Sequence, residues 1–381
     1  TTGATIIGNP NTLPHLPNGI ESLTHGVLYW RSFIQWIGGM GIIVFTIAIL
    51  PLLGVGGVQL FKAEVPGPVS DKIRPRVKET AKILWMVYVG LTAAEAILLS
   101  ISGMSWFDAI CHAFTTLPTG GFSTQNASIA AYANPAIHYI IILFMFIAGV
   151  NFSLHFRSLT GNIKISFKDP EFLAYIGITF AATLFIFLNI ASAQGEWTHD
   201  NFLSSLFQSV SILTTTGYSS ADYEIWPFFS QYLILILMFI GAMGGSTGGG
   251  MKVARIILLV KYAATETRRM LHSRAIIPIR IGDRYIGEDV VRNTLGFFLF
   301  YMSIFGVTAL ILTTLNLDIE SAIGAAASAI GNIGPGLGAF GPTDNYALLH
   351  PMGKWMLTFC MLLGRLEIFT IMVLFSRTFW K

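Results

Sequence analysis

Residues 201–219 read NFLSSLFQSVSILTTTGYS and join a short helix pattern directly to a segment rich in threonine and glycine. The helical part, 201–213, is shorter than the about 20 residues that a helix needs to cross a bilayer. It also carries small and polar residues, whereas the run that begins at 228 is strongly apolar. The stretch therefore predicts a helix that enters a membrane, stops within it, and is followed by a spanning helix.

The same unit recurs along the chain. Further short helical segments are predicted at 105–117 and 319–330. Each short helix leads into what we call a glycine segment, and the four glycine segments are 1–5, 118–123, 214–219 and 331–336. When Gly121, Gly217 and Gly334 are aligned, the residue six positions upstream always bears a hydroxyl, and the residue eight positions upstream is always small. Several matches in one register predict an internal repeat.

The composition favours a membrane protein over a soluble one. The chain of 381 residues is 53% hydrophobic and 11% charged, whereas a soluble globular chain is about 25% charged. Apolar runs long enough to span a bilayer lie near 28–54, 81–102, 137–161, 172–193, 228–245, 294–315 and 353–376. We predict an all-α membrane protein in which four span–pore helix–filter–span repeats surround a pseudo-fourfold pore, with the first repeat incomplete in this chain.

The repeats divide the chain into four predicted units. These are 1–54, the end of repeat 1; 55–161, repeat 2; 162–260, repeat 3; and 261–381, repeat 4 with a preceding cytoplasmic segment. Two cysteines, Cys111 and Cys360, lie in apolar stretches far apart in sequence. They have no metal-ligand spacing around them, which predicts two buried free thiols.

Lysine and arginine are concentrated in alternate loops. Segments 55–82, 155–168 and 252–292 are basic, whereas neither residue occurs in the loops at 4–27, 118–136, 194–231 and 316–351. The positive-inside rule places the basic loops in the cytoplasm. The glycine segments therefore lie toward the extracellular side, and the spacing of the basic loops between apolar spans disfavours a nucleic-acid-binding role.

The glycine segments are candidates for an ion filter, because non-helical backbone at membrane depth is tolerated only where it is buried in protein or lines a cavity. Carbonyl oxygens directed at one axis replace the hydration shell of a cation. Glycine permits the backbone conformation that this requires, and each short helix directs its negative end at the ion. No carboxylate lies in these segments, which favours a monovalent cation over calcium. The alternative is that they are ordinary turns between helices.

Arg365 lies inside the last apolar run, and an intramembrane arginine is a functional hypothesis by default. Its counterparts in the other repeats are the small residues Gly39, Gly149 and Ala242. A cation just below the filter raises the barrier to passing cations. The alternative is a structural pair with Glu367 or with a backbone carbonyl.

The run GAMGGSTGGG at 241–250 interrupts the third post-filter span. Its glycine content is incompatible with a lipid-facing helix, so we predict an irregular loop within the membrane, directly under the filter. Flexibility at that position suggests a gate. A phosphate-binding loop is disfavoured, because Lys252 lacks the Walker spacing.

These motifs resemble the Trk/Ktr/HKT superfamily of potassium transport proteins, and within it the group of TrkH, TrkG and KtrB. The resemblance covers the whole chain and rests on the glycine segments and on the stretches 35–42, 244–252 and 364–367. The sequences GGSTGGG followed by Met251 and Lys252, and GRLE at 364–367, are the specific marks. That family has membrane helices before the first filter segment, so this chain is expected to be incomplete.

The resemblance implies a set of site residues. The potassium filter is expected at Thr2, Gly3, Gly120, Gly121, Thr216, Gly217, Ile333 and Gly334. The gate is expected at Gly244, Gly245, Ser246, Thr247, Gly248, Gly249, Gly250 and Arg365. Glycine rather than serine at the key filter position goes with potassium preference in this family. The transported ion is K⁺, and no organic cofactor is expected on this chain.

The resemblance also implies partners and a location. The expected protein is a multi-pass homodimer in the bacterial cytoplasmic (inner) membrane, and it is not an enzyme. A cytoplasmic regulatory subunit of the TrkA or KtrA type, which binds NAD or ATP, is the expected partner, and no nucleic acid is expected to bind.

The rival interpretation is a broken-helix secondary transporter that couples potassium to protons or sodium. Such a transporter predicts an inverted repeat, whereas the visible repeats here run in one orientation. Glu95 and Asp108, in or near membrane segments, are weaker candidates for a proton relay.

Overall fold

A computed structural model describes residues 2–8, 19–44, 77–160, 163–272, 277–282, 284–366, 368–374 and 380. The helices are α1 His25–Val44, α2 Val77–Ile101, α3 Trp106–Thr116, α4 Pro135–Ala148, α5 Phe152–Thr160, α6 Pro170–Gln194, α7 His199–Leu213, α8 Phe228–Phe239, α9 Val253–Leu271, α10 Glu288–Thr314, α11 Ile319–Gly331, α12 Pro351–Arg365 and α13 Ile368–Leu374. Strands β1 Arg280–Ile281 and β2 Arg284–Tyr285 form a small antiparallel hairpin on the cytoplasmic segment. Thr1, Glu367 and most of the basic segment 55–82 lie outside the described residues.

The three predicted short helices are confirmed as α3, α7 and α11. Each begins with a side-chain cap in which Ser105, Thr198 or Asp318 accepts a hydrogen bond from the amide three residues later. Such caps satisfy amides that have no partner within the helix. The same device therefore starts the short helix in each of the three repeats that contain one.

Three helices in the described part of the chain are individually long and apolar enough to cross a membrane, namely α2 from Lys82, α6 and α10. The prediction of one continuous span over 137–161 is wrong, because α4 and α5 meet at a bend of 102°. Asn151 accounts for the new start, since its side chain accepts a hydrogen bond from the amide of Ser153 at 2.8 Å. The carbonyl of Gly149, freed by the break, accepts the amide of Met243 at 3.0 Å.

The span predicted over 353–376 is likewise broken, since α12 ends at Arg365 and α13 begins at Ile368. The apolar run 228–245 is helical only to Phe239. The irregular backbone predicted at 241–250 is confirmed, because no helix or strand occupies those residues. The post-filter helices of three repeats therefore end near corresponding positions, at Ala148, Phe239 and Arg365.

The helices are arranged in a ring. Each short helix packs against the span that precedes it: α3 on α2, α7 on α6, and α11 on α10. Each short helix also packs against the post-filter helix of the preceding repeat: α3 on α1, α7 on α4, and α11 on α8. This shared pattern places the four glycine segments around one axis.

Candidate ion filter and the loop beneath it

Each of the last three glycine segments has the same alternating backbone. The residue two positions before the key glycine is left-handed, with φ of 54° at Thr119, 60° at Thr215 and 58° at Asn332. The key glycines are also at positive φ, with values of 74°, 80° and 127° at Gly121, Gly217 and Gly334. The residue between them is not. Glycine tolerates positive φ at the second position, and a β-carbon there would lie under 3.0 Å from the backbone of a neighbouring glycine segment.

The helix ends hold the amides of these segments. Gly120 and Gly121 both donate to the carbonyl of Thr115, at 2.8 and 3.2 Å. Thr216 and Gly217 donate in the same way to Ser211, at 2.9 and 3.3 Å. In repeat 4, Ile333 donates to the carbonyl of Ser328 at 3.0 Å, and Gly334 donates to its hydroxyl at 3.0 Å. The hydroxyl positions found by repeat alignment are therefore the anchors of the filter backbone.

The four glycine segments converge. A β-carbon added at Gly3 would lie 2.9 Å from the carbonyl oxygen of Gly120, 3.1 Å from that of Ile333 and 3.5 Å from that of Thr216. Going around the ring, Gly121 contacts the carbonyl of Thr216 and Gly217 contacts that of Ile333. Gly334 then meets the backbone of Gly3. Carbonyls from three repeats therefore surround the glycine of the fourth, and no side chain fits between them.

A side-chain hydrogen bond ties each pair of neighbouring segments. The four bonds are Gln35 Nε2 to the Gly120 carbonyl at 2.9 Å, Tyr218 Oη to the His112 carbonyl at 3.1 Å, Tyr223 Oη to the Gly336 carbonyl at 2.6 Å, and Thr2 Oγ1 to Asn332 Oδ1 at 2.7 Å. The donors lie in repeats 1, 3, 3 and 1 and the acceptors in repeats 2, 2, 4 and 4, so each of the four junctions between neighbouring repeats carries one bond. The ring is therefore closed by side chains as well as by the approach of its backbones.

Sequence analysis did not assign roles to Gln35 or to the buried tyrosines. Gln35 is only 4% exposed on α1, and its Oε1 accepts the amide of Phe122 at 3.3 Å. Tyr346 donates to the carbonyl of Gly334 at 2.8 Å. The signal for Gln35 was a polar side chain between apolar neighbours, because a buried amide usually requires a hydrogen-bond partner; the tyrosines lie in polar segments that carried no such signal.

Thr247 sits at the centre of the loop at 241–250 and contacts two filter repeats. Its hydroxyl donates to the carbonyls of Leu117 at 2.8 Å and Ala148 at 3.2 Å. Its carbonyl accepts the hydroxyl of Thr119 at 3.0 Å and Nη1 of Arg365 at 2.7 Å. The loop therefore lies against the inner end of the filter, on the side away from the key glycines.

Residues close to Thr247 in sequence also hold the loop in this position through hydrogen bonds. Gly249 donates its amide to Oγ1 of Thr215 at 2.6 Å, and Lys252 donates to the carbonyl of Gly248. The base of the loop is closed where Gly241 donates to the carbonyl of Met251 at 2.8 Å. Apart from Gly245, residues 241–250 are buried.

Arg365 is the last residue of α12, and its guanidinium reaches the loop from repeat 4. Its Nε and Nη2 are buried and find no hydrogen-bond partner among the described residues. The pairing with a backbone carbonyl, which sequence analysis kept as an alternative, is thus present, and its acceptor is Thr247. The other suggested partner, Glu367, lies outside the described residues.

A cavity of about 350 Å³ opens on the outer side of the filter and is lined by the four key glycines, Arg31, Asp222, Asp344 and Tyr346, among others. Glu224 lies beside Asp222 on the adjoining turn. Burial, together with the charges of Asp222, Asp344 and Glu320, raises the pKa of Glu224 to about 7. The outer mouth is therefore acidic, which attracts cations.

The sequence profile of the TrkH family, described as a cation transport protein, matches residues 8–381. The chain belongs to the TrkH family. The Trk system potassium uptake protein TrkH of Escherichia coli (strain K12) is 44% identical over 372 residues, which cover 95% of this chain and 75% of that protein. The protein named TrkG from the same strain is 33% identical over 383 residues, covering 100% of this chain and 76% of its own length.

Solved structures agree with this assignment. The crystal structure of the potassium transporter TrkH from Vibrio parahaemolyticus superimposes with a TM-score of 0.86 at 40% identity, covering 100% of this chain and 76% of that one. The resemblance drawn from the motifs is thereby confirmed, as is the all-α membrane fold. The chain is a multi-pass cation transport protein of the bacterial cytoplasmic membrane.

Proposed function

We propose that this chain carries potassium into the cell through a filter of backbone carbonyls. The observation that carries the proposal is the convergence on Gly3 of the carbonyls of Gly120, Thr216 and Ile333. With Thr2, Gly121, Gly217 and Gly334 these residues form the proposed filter. Rings of carbonyl oxygens replace the hydration shell of a potassium ion, and the named relatives are potassium uptake proteins.

The same proposal assigns the gate to residues 244–250 and Arg365. The position of the loop supports this assignment, because Thr247 and Gly249 form hydrogen bonds with Thr119 and Thr215 at the inner end of the filter. A buried guanidinium beside the ion path adds an electrostatic barrier to cations. Among the described residues, the loop is bonded to the side chains of Thr119 and Thr215 and not to the amides of the filter segments, so its movement need not break the bonds that anchor the filter backbone.

We further propose that the chain acts as a homodimer under the control of a cytoplasmic nucleotide-binding subunit of the TrkA or KtrA type. Support for both rests on the resemblance to the family. The basic cytoplasmic segment that includes α9 offers a charged surface for such a subunit, with Arg268 and Arg269 in its last turn.

Rubidium-86 uptake into proteoliposomes tests the filter. We expect potassium to compete well and sodium poorly, and we expect Gly217→Ser to weaken that preference about tenfold or more. A β-carbon at Gly217, which has φ of 80°, would collide with the carbonyl of Ile333. Each 1.4 kcal/mol of lost discrimination is worth a factor of about ten.

The matched control is Gly306→Ser, because a β-carbon at Gly306 on α10 meets nothing within 4 Å. Uptake and selectivity should then equal those of the wild type. Equal competition by sodium and potassium in the wild-type protein would contradict the proposed filter. A Gly217→Ser protein with unchanged selectivity would remove Gly217 from it.

A further inference from the structure

Glu171 lies at the start of α6, where Asp169 caps the helix. One of its carboxylate oxygens, Oε1, accepts two backbone amides from another part of the chain. The amide of Gly244 lies 2.7 Å away and that of Ala254 lies 3.2 Å away. Gly244 is in the first half of the intramembrane loop, and Ala254 is in the first turn of the helix that follows it. Oε1 of Glu171 therefore bridges the loop, at Gly244, and the helix that follows it, at Ala254.

Helix α9 has no cap of its own at this end. Lys252 occupies the cap position and makes no side-chain cap hydrogen bond. A carboxylate near a helix N-terminus satisfies a free amide and interacts favourably with the helix dipole. Glu171 supplies that carboxylate from α6, so the helix after the loop is held by a residue outside it.

The surroundings of Glu171 are asymmetric in charge. Burial and the neighbouring Asp169 disfavour the ionised form of Glu171, whereas its two amide bonds and Lys252 at the end of the loop favour it. Lys252 also donates to the carbonyl of Gly248. Lys252 therefore links the loop to Glu171 electrostatically, in addition to the two hydrogen bonds.

We propose that Glu171 is a positioning residue that holds the loop in its closed position beneath the filter. This inference rests on the proposed function, because it presumes that the loop is a gate. Both hydrogen bonds are strongest when the carboxylate is ionised, because they are then charge-assisted. Opening the loop while α6 and α9 stay fixed breaks the bond to Gly244, so the carboxylate stabilises the closed arrangement through that bond.

The first experiment measures rubidium-86 uptake by the full chain in proteoliposomes, with Glu171→Ala and Glu171→Gln compared with wild type. We expect Glu171→Ala to raise basal uptake about tenfold, which corresponds to about 1.4 kcal/mol of lost closed-state stability. Glu171→Gln keeps an oxygen acceptor without the charge, so its uptake should lie between the other two. Glu288→Ala is the matched control, since Glu288 is also acidic, lies in the first turn of α10 and is exposed.

The second experiment repeats Glu171→Ala in a protein that lacks residues 244–249. If Glu171 acts only through the loop, its substitution should add nothing to the uptake of the deleted protein. A further rise in the deleted background would mean that Glu171 acts elsewhere and would overturn the inference. If the deletion itself does not raise uptake, the proposed gate fails, whatever Glu171 does.

A readout independent of flux is the accessibility of the loop. In a Cys111→Ala, Cys360→Ala background, Ser246→Cys places a single thiol in the loop, where Ser246 is only 4% exposed. We expect Glu171→Ala to speed the labelling of that thiol by a membrane-impermeant maleimide applied from the cytoplasmic side. If folded Glu171→Ala protein shows both unchanged labelling and unchanged uptake, the inference is overturned. If Glu171→Ala does not fold, Glu171→Gln decides in the same assays.

Discussion

The filter and the loop beneath it are both irregular backbone at membrane depth, yet they are held in opposite ways. Each of the last three glycine segments is anchored mainly to the end of its own short helix, as Gly120 and Gly121 are to Thr115. The loop is anchored largely by other parts of the chain, since the Thr119 hydroxyl and the Arg365 guanidinium both donate to the carbonyl of Thr247. In the proposed mechanism the locally anchored filter stays in place when the loop moves.

The four repeats differ most just below the filter. At corresponding positions α1 passes through Gly39 without a break, α4 ends before Gly149, and α12 ends at Arg365. In repeat 3 the helix ends at Phe239 and the loop begins. The repeats are therefore alike in the glycine segments and differ below them, as expected if the glycine segments form the proposed filter and the loop forms the proposed gate.

Among the substitutions that distinguish the loop from the filter, Arg365→Ala is expected to have the largest effect on uptake. It removes both the bond to the carbonyl of Thr247 and the positive charge below the filter, so we expect basal rubidium uptake to rise about tenfold. The preference for potassium over sodium should stay unchanged, because the substitution touches no filter residue.

The control for this prediction is Lys354→Ala, near the start of α12, where Nζ donates to the carbonyl of Ala347 at 2.7 Å. It removes a positive charge from the opposite end of the helix that carries Arg365 and should not raise uptake. An unchanged or reduced flux in folded Arg365→Ala protein would contradict the barrier role of Arg365.

A smaller effect is expected on the filter side from Tyr346→Phe. The substitution removes the hydrogen bond to the Gly334 carbonyl but keeps the ring stacked on Phe340 at 4.6 Å. Ser328 still donates to that carbonyl at 2.8 Å. We therefore expect a loss of about 1 kcal/mol, or about a fivefold fall in potassium preference, measured by competition for rubidium uptake.

Basal uptake should not rise in Tyr346→Phe, which is the reverse of the pattern expected for Arg365→Ala. Tyr232→Phe on α8, where the side chain is 63% exposed, is the matched control. If Tyr346→Phe raised basal uptake without altering selectivity, the assignment of selectivity to the filter and of gating to the loop would be wrong.

The smallest effect is expected at the outer mouth of the filter, at Glu224. Because the pKa of Glu224 is raised to about 7, above the about 4.3 of an unfolded glutamate, the folded protein retains a proton that the unfolded chain releases. The associated stability is present in full below about pH 4.3 and is lost as the pH rises through about 7.

Glu224→Gln should remove this dependence. Between pH 5 and pH 8 the melting temperature of the wild type should therefore fall by about 2 °C more than that of Glu224→Gln. Thermal unfolding in detergent, followed for both proteins across that range, provides the measurement. Parallel curves for the two proteins would show that Glu224 does not titrate in this range.

Much of the architecture could be predicted from sequence because its signals are local. The short helices, the glycine segments and the irregular backbone at 241–250 depend on helix caps, on positive φ and on glycine content within a few residues. The break at Gly149 was missed because residues 137–161 are apolar throughout most of their length. The cause is tertiary, since the freed carbonyl of Gly149 is satisfied by the distant amide of Met243.

The sequence by itself determined the number and order of the repeats and the ends of their short helices. Those properties follow from hydrogen bonds that span six or fewer residues, as between Gly121 and Thr115. Only the tertiary structure decided which carbonyls meet at Gly3 and which side chains hold Thr247, because these contacts join residues more than 80 positions apart, such as Arg365 and Thr247 at a separation of 118. No local pattern specifies such pairs, and the packing of each short helix against the preceding repeat brings them together.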